Sequence, residues 1–446
     1  MKIAGLDIGT TSVSGVIIDT ETGSQIASRT VPNDTLVSGP AWMREQNAGR
    51  IIEICRNVLE EFYVMCPDIQ RLGLTGQMHG IVYLDREGKL LGNLINWQDE
   101  RGNLPYKDGL SYAGYLQEKT GYPMSTGFGL TTHFYNTVNH LVPEGAAHIC
   151  TIMDYLAMLL CDEKEPCIHP SNAASLGLFD IPGCRFDEEK IRAAGMDPAI
   201  LPRLVKGEEI IGRMPEGICV VIPIGDNQAG TFAMLKDPDD ILINIGTSSQ
   251  ISMICDTCSP AGNLECRPYV GGRYLQLYAG LCGGISFALL NQFLRDVCGM
   301  FGMQPAKGDV FEKMMEEASK VYGGPGNGGA ETGGAVPAGL SVSTLFRGKR
   351  SAPELRGAVT GINMDNFTPG NLILGFYEGV VDELYESFVD ALSALPEGKG
   401  RLLLAGNALR SNELLRRICA DRFGRETVLL TLKEEAALGC AYLAGM

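Results

Sequence analysis

Near the start of the chain, Asp7-Ile-Gly9-Thr10-Thr11-Ser12 sets a carboxylate two residues ahead of a glycine turn lined with hydroxyls. Successive N–H groups and hydroxyls turned outward at such a point can receive phosphate oxygens. Asp7, at the end of an apolar strand, could hold Mg2+ through water, because that ion keeps part of its hydration shell. Asn244-Ile-Gly246-Thr247-Ser248-Ser249 repeats the pattern with Asn where the first copy has Asp, so this turn offers only neutral donors. Taken singly, each is as well explained by an ordinary hairpin turn.

Three further stretches carry polar groups in suggestive places. The apolar run Ile218–Ile224 stops at Gly225-Asp226-Asn227-Gln228. A carboxylate there stands at a sheet edge, where α/β sheets open onto ligands. It could accept the proton of an attacking alcohol, or simply cap the next helix. Gln77-Met78-His79 and Asn96-Trp97-Gln98-Asp99-Glu100-Arg101 both follow strand-like runs. Together they hold what a polyol pocket needs, while the alternatives are an Arg101 that only pairs with Asp99 and a structural His79. In Leu402–Asn412 a strand, a turn at Gly406-Asn407-Ala408 and a helix beginning near Asn412 would let a flat base approach the backbone.

The elements that must position these groups alternate in the α/β manner. Residues 3–18 and 241–254 are each strand, turn and strand, near the starts of two halves, as duplication of one domain would give. Helices are expected over Ala48–Val64, Met153–Cys161, Phe287–Val297, Asn371–Leu395 (with an interruption allowed), Asn412–Phe423 and Glu434–Ala444. Strands are expected over Arg71–Thr75, Ile218–Ile224, Arg401–Ala405 and Val428–Leu432. Residues 323–334, rich in glycine, read as a surface linker.

Composition limits the partners. A length of 446 residues suits two domains, and a net charge of −16 argues against binding to nucleic acid or an anionic membrane. Backbone amides and a cation can still hold a nucleotide on an acidic protein. No apolar run is long enough to span a bilayer, and Asp7 sits where a signal peptide would be greasy, so a cytoplasmic location is expected. The fourteen Cys lack a framework spacing. Cys255-x-x-Cys258 with Cys266 wants a fourth ligand for zinc and reads as ordinary cysteine. The sequence leaves a homodimer open.

In their order along nearly the whole chain, these segments resemble the FGGY carbohydrate kinases. Asp7–Ser12 and Gly246–Ser248 are similar to the family's two phosphate motifs, Gly406–Asn412 to its adenosine motif, and Gly225-Asp226-Asn227-Gln228 to its catalytic Gly-Asp-x-Gln segment. Gly357–Ile362 through Asn371–Glu378 resembles its C-terminal signature, with Gly375 where Ala or Ser is usual. Within the family, Gln77-Met-His together with Trp97-Gln-Asp, Ser171–Ser175 and Ser125–Gly129 look most like sedoheptulokinases. Gly127 stands where glycerol kinases carry a bulky Tyr, which would open room for a longer sugar. Thr132 and Tyr135 replace the usual Lys and Trp, and Asn407 replaces a second Gly.

The resemblance implies an α/β fold of two ribonuclease H-like (actin-like ATPase) domains, residues 1–234 for sugar and 235–446 for nucleotide, with a cleft between them. It implies ATP and Mg2+ as cofactors and phosphoryl transfer to a terminal hydroxyl of a ketose. Asp226 would be the base, with Asp7 and Asp226 at the metal. Gln77, Met78, His79, Trp97, Gln98, Asp99, Arg101, Gly127 and Asn227 would shape the sugar pocket. Thr10, Thr11, Ser12, Gly246, Thr247, Ser248, Gly284, Gly406, Asn407, Ala408 and Asn412 would hold ATP. The competing readings are a pentulose kinase, an actin-like chaperone or filament protein, and a non-catalytic sugar sensor.

Overall fold

The computed structural model describes residues 1–258, 264–323, 339–349, 352, 354–392 and 400–446. The first apolar echo is a hairpin: β1 (Lys2–Ile8) pairs antiparallel with β2 (Ser12–Asp19), which pairs with β3 (Ser24–Pro32). Helix α1 (Ala48–Met65) starts where Asn47 accepts the Arg50 N–H, and it buries Ile51, Ile52, Cys55, Val58, Leu59 and Phe62. Those positions recur every three or four residues, so they form one face against the sheet. The helix returns the chain to β4 (Ile69–Gly76), parallel to β1, as a crossover helix permits.

Helices α2 (Ile152–Leu160) and α3 (Pro170–Leu176) precede β5 (Ile210–Arg213), β6 (Cys219–Val221) and β7 (Ile224–Gly225). The single strand expected over Ile218–Ile224 is therefore broken. Pro223 has no N–H to give a ladder, and the chain re-enters beside β4 only at Ile224. The finished sheet has seven strands, in the order β5-β6-β4-β1-β2-β3 with β7 alongside β4.

The second half repeats the plan after α4 (Asp226–Met234). Strands β8 (Ile241–Ile245), β9 (Ser249–Cys255), β10 (Glu265–Pro268) and β11 (Tyr274–Gly280) come first, then α5 (Gly284–Met300) and α6 (Pro369–Leu392). Strand β12 (Leu402–Ala405), helix α7 (Glu413–Phe423), strand β13 (Thr427–Leu429) and helix α8 (Glu435–Ala444) complete the chain. The order is β10-β11-β9-β8-β12-β13. Setting aside β10, and the edge strand β5 of the first sheet, both sheets run third, second, first, fourth, fifth. These are the two ribonuclease H-like units of the actin-like ATPase fold.

Helix α6 is continuous to Leu392, and the expected last residues 393–395 lie outside the described residues. So do 324–334 of the glycine-rich stretch. Strand β13 stops at Leu429, short of Leu432. All fourteen Cys are free, and no group of three or more His, Cys, Asp or Glu placed to hold a metal occurs among the described residues. No described helix is long and apolar enough to cross a membrane.

One core fills the space between the first sheet, α1 and α2, and another lies between the second sheet, α5, α6 and α7. Helices α4 and α8 pack together, and α8 lies on β1 and β4 of the first sheet. Glycines make this approach possible. A Cβ on Gly73 would sit 2.0 Å from the Cys440 oxygen, and one on Gly439 would sit 1.7 Å from the Ala229 oxygen. Glu434, φ 54°, turns the chain into α8, and its Oε1 accepts from Thr30 Oγ1 on β3 at 2.9 Å.

Candidate active site

In the first sheet β1, β4 and β7 run parallel to carboxyl ends that lie side by side, as β8 and β12 do in the second, at the edge where α/β folds bind ligands. In the first turn every carbonyl is held from behind. Asn33 Nδ2 donates to the Gly9 oxygen at 2.8 Å, Gln46 Nε2 to the Thr10 oxygen at 3.0 Å, and Asn33 N to the Thr11 oxygen at 2.9 Å. Because a trans peptide opposes its N–H to its C=O, the amides of Thr10 and Thr11 face the other way. The second turn uses the same device with backbone donors. Gly284 N reaches the Gly246 oxygen at 2.8 Å, while Gly283 N and Ile285 N reach the Thr247 oxygen at 3.2 and 3.1 Å. Gly284 must be glycine here, since a Cβ would stand 2.5 Å from the Gly246 oxygen.

Asp7 lies opposite Ser14 and Thr75 in the sheet. Its Oδ1 is buried without a partner. Burial, then the charge of Asp226, then that of Glu434 push its pKa up to about 8. Asp226 opens α4, and its Oδ1 accepts the Asn227 N–H at 2.7 Å. Burial raises it to about 6, against the pull of that hydrogen bond and of the Arg267 guanidinium on β10. The two carboxylates are therefore within electrostatic reach of one another in a covered site. An unpartnered buried oxygen in such a hard, anionic donor set fits a divalent cation.

The next two residues reach across the cleft. Asn227 Nδ2 donates to Gln250 Oε1 on β9 at 3.1 Å, and Gln228 Nε2 to the Pro268 oxygen on β10 at 3.2 Å. The Asn227 amide nitrogen thus belongs to the contact between the halves, while its Oδ1 is buried and unpartnered.

The expected sugar pocket divides into a lining and a brace. Trp97, 45% exposed, donates its Nε1–H to Thr10 Oγ1 at 2.9 Å, which ties the pocket to the first turn. Gln77 accepts from Thr10 Oγ1 at 3.5 Å and donates to Gln46 Oε1 at 3.0 Å. His79, φ 72°, is fixed by Ser175: its N–H reaches Ser175 Oγ at 3.1 Å and its Nδ1 lies 2.7 Å from the Ser175 oxygen. Its ring stacks on Phe128 with centroids 4.9 Å apart. Met78 is buried under Gly225, and Gln98 is exposed beside Trp97.

Asp99 and Arg101 are occupied by the protein itself. Arg101 Nε donates to Asp99 Oδ1 at 2.7 Å, while its other nitrogens reach Asn136 Oδ1 at 2.8 Å and Glu45 Oε1 at 2.9 Å. Asp99 Oδ2 accepts the Arg44 N–H at 2.9 Å. This buried ion pair, with Trp42 and Tyr135 against the guanidinium, braces the Trp97 loop. Gly127 lies beside that loop with φ 80°, and a Cβ there would stand 2.0 Å from the Trp97 oxygen. Its missing side chain is thus required by the turn, and a Tyr at this position would displace the loop rather than narrow an otherwise unchanged pocket.

On the other side, Gly406, φ 93°, packs on the second hairpin: its Cβ would stand 2.4 Å from the Ile245 oxygen and 2.5 Å from Asn244 Oδ1. Asn407 and Ala408 begin the short helix Asn407–Ser411. Asn412 accepts the Leu415 N–H at 3.0 Å and so caps α7. Sequence reasoning missed Asn33, Gln46, Arg267, Gln250 and Glu434. None lies in a short motif, and each reaches the site through a contact distant in sequence.

Comparison with known proteins identifies the family. Sedoheptulokinase from Mus musculus is 25% identical, over 92% of this chain and 90% of its own. Glycerol kinase from Dechloromonas aromatica is 26% identical, over 100% and 88%. The crystal structure of xylulose kinase from Rhodospirillum rubrum superposes with a TM-score of 0.83 at 21% identity, covering 100% of this chain and 89% of that one, and so shares the fold. The models of the N-terminal and C-terminal domains of the FGGY family match residues 2–233 and 242–446, and the chain therefore belongs to the FGGY family of carbohydrate kinases.

Proposed function

We propose that this enzyme transfers the γ-phosphoryl group of ATP to a terminal hydroxyl of a ketose, with sedoheptulose as the substrate. Asp226 orients the attacking hydroxyl and takes its proton. In a loose transition state that proton leaves late, so orientation is the larger part of its task. The Thr10, Thr11 and Ser12 turn and the Gly246, Thr247 and Ser248 turn hold phosphate oxygens from the two sides. Gly406, Asn407 and Ala408 give a flat surface for the base, Asn412 supports them as a cap, and Gly284 fixes the second turn. Mg2+, for which Asp7 and Asp226 provide oxygen donors, supplies charge neutralisation at the phosphates when bound.

The Asn227–Gln250 bond carries this reading. It seats the residue after Asp226 against the strand leaving the second turn, which supports a reading in which the base serves a phosphate held there. Contacts across that cleft exclude water from the reacting groups. Trp97, His79, Gln77 and Gln98 form the sugar side, Met78 its floor, and Asp99, Arg101 and Gly127 hold the Trp97 loop. The choice of sedoheptulose rests on the joint presence of the Gln77-Met-His and Trp97-Gln-Asp stretches and on the relatives that bear that enzyme's name.

ADP release measured with sedoheptulose, xylulose, ribulose and glycerol tests the proposal. The highest kcat/KM is expected for sedoheptulose. A higher value for a pentulose would replace the substrate and leave the kinase standing. Absence of turnover with every sugar would favour a sensor.

A further inference from the structure

Helix α3 carries a set of polar contacts that the phosphoryl-transfer chemistry does not use. Ser171 Oγ accepts the N–H of Gly225, the residue before Asp226, at 3.1 Å. His169 Nδ1 lies 2.8 Å from Ser171 Oγ and accepts the Ser171 N–H at 3.2 Å. With Nδ1 an acceptor, the ring proton sits on Nε2, which faces Glu208 Oε1 at 3.6 Å. Glu208 Oε1 in turn accepts the Gly271 N–H at 2.7 Å, from the turn between β10 and β11 in the other half. His169 and Ser171 are buried, 2% and 1% exposed.

Each link has a direction. Burial works to raise the Glu208 carboxyl, but the facing His169 imidazole and the Gly271 hydrogen bond outweigh it and hold the group below its ordinary value. The ionised carboxylate fixes the imidazole tautomer, as carboxylates do for histidines that orient another group. The imidazole orients the Ser171 hydroxyl, and that hydroxyl fixes the peptide entering Asp226. Asn172 Nδ2, on the same turn of α3, holds the Pro223 oxygen at 3.3 Å, so the approach to the base is gripped at two points.

We infer that Glu208, His169 and Ser171 are positioning residues that link the seating of the second domain, through Gly271, to the placement of Asp226. The inference rests on Asp226 being the base. Withdrawal of the second domain removes the Gly271 donor from Glu208 and slackens the chain. The base is then firmly held only when the two halves meet, which ties its competence to the closed cleft.

The test is a double-mutant cycle. His169→Asn keeps an N-cap acceptor for Ser171 but cannot reach Glu208, and Glu208→Gln removes the charge. Each is expected to lower kcat roughly tenfold, the scale of one buried hydrogen bond lost, with KM for ATP unchanged. The double variant should fall no further than the worse single one, because both cut the same chain. Ser171→Ala should fall similarly and Ser171→Thr should recover most of the loss. Hydrogen exchange of the Gly225–Asn227 amides should quicken in all but the Thr variant, a readout independent of turnover. Multiplying losses, an unchanged kcat, or unchanged amide exchange would overturn the inference. Asp226→Asn serves as the control: full turnover there would remove the base itself, whereas lost turnover with an additive cycle would remove only the chain.

Discussion

The two phosphate hairpins are built alike and charged differently. In each, a strand runs into a three-residue turn and back antiparallel, the leading strand has a parallel neighbour, and the carbonyls of the turn are held from behind. Asp7 in the first faces Asp226 and Glu434 and is raised to about 8. Asn244, its counterpart in the second, is exposed and lies against Gly406. One geometry therefore serves two tasks, divided by a single charged group. In the proposed mechanism the first hairpin would hold a cation beside the base, and the second would meet phosphate with neutral donors only. A carboxylate at both places would repel the triphosphate from the side that carries no cation.

The division is broken most severely at Asp226. Asp226→Ala is expected to lower kcat by about 10²- to 10⁴-fold, the usual contribution of a general base. Nucleotide affinity by titration calorimetry should barely move, and its loss would mean that Asp226 had been misassigned. Asn244→Asp attacks the division from the other side by making the second hairpin resemble the first. It should raise KM for ATP roughly tenfold at low salt and less at high salt, since the added repulsion is screened. An unchanged KM would show that the second turn does not meet the phosphates.

The hairpins, most helices and the Gly225–Gln228 segment were legible because each is a local pattern. Apolar strands flank a glycine turn, and helical faces repeat every three or four residues. The break at Pro223 was in principle legible as well, since a proline without an N–H interrupts a ladder wherever it falls. Asp99 and Arg101 were visible as a pair, but only the fold tells that Glu45, Asn136 and the Arg44 amide take up their remaining polar atoms. Arg267, Gln250 and Glu434 could not be found from the sequence. They touch the site from another sheet or from the far end of the chain, and no short-range spacing encodes such contacts. Gly127 shows the opposite hazard: a missing side chain reads as an open pocket until the Trp97 oxygen is seen to occupy the space.

Proton counting sharpens the same comparison. With Asp226 near 6, kcat/KM should fall as pH drops through about 6, because the protonated base cannot accept the substrate proton. A limb below pH 5 would mean that another group governs turnover. With Asp7 near 8, most molecules carry its proton at pH 7, and binding Mg2+ with nucleotide should release it. Calorimetry in buffers of different ionisation enthalpy reads that release directly. Asp7→Asn should abolish it, whereas Asn244→Asp should leave it in place.

The smallest effect concerns stability and opposes function. Asp7 has a folded pKa of about 8, above its ordinary 3.8. Its protonated form is therefore favoured by the fold, and the contribution is full below about pH 4 and lost as pH rises through 8. Other raised groups, such as Asp154, are the same in wild type and variant and cancel in the difference. Metal-free Asp7→Asn should consequently melt a few degrees above wild type at pH 8, with the gap shrinking toward pH 4 and closing below it, where the wild-type carboxyl is neutral in both states. Asn244→Asp should show no comparable benefit at any pH, because its side chain begins exposed and uncharged. A gap that persists unchanged at pH 4 would mean that packing, not charge, sets the difference at Asp7. A gap that closes upward in pH would mean that Asp7 is ionised in the empty fold, and the cation would then find a carboxylate already charged.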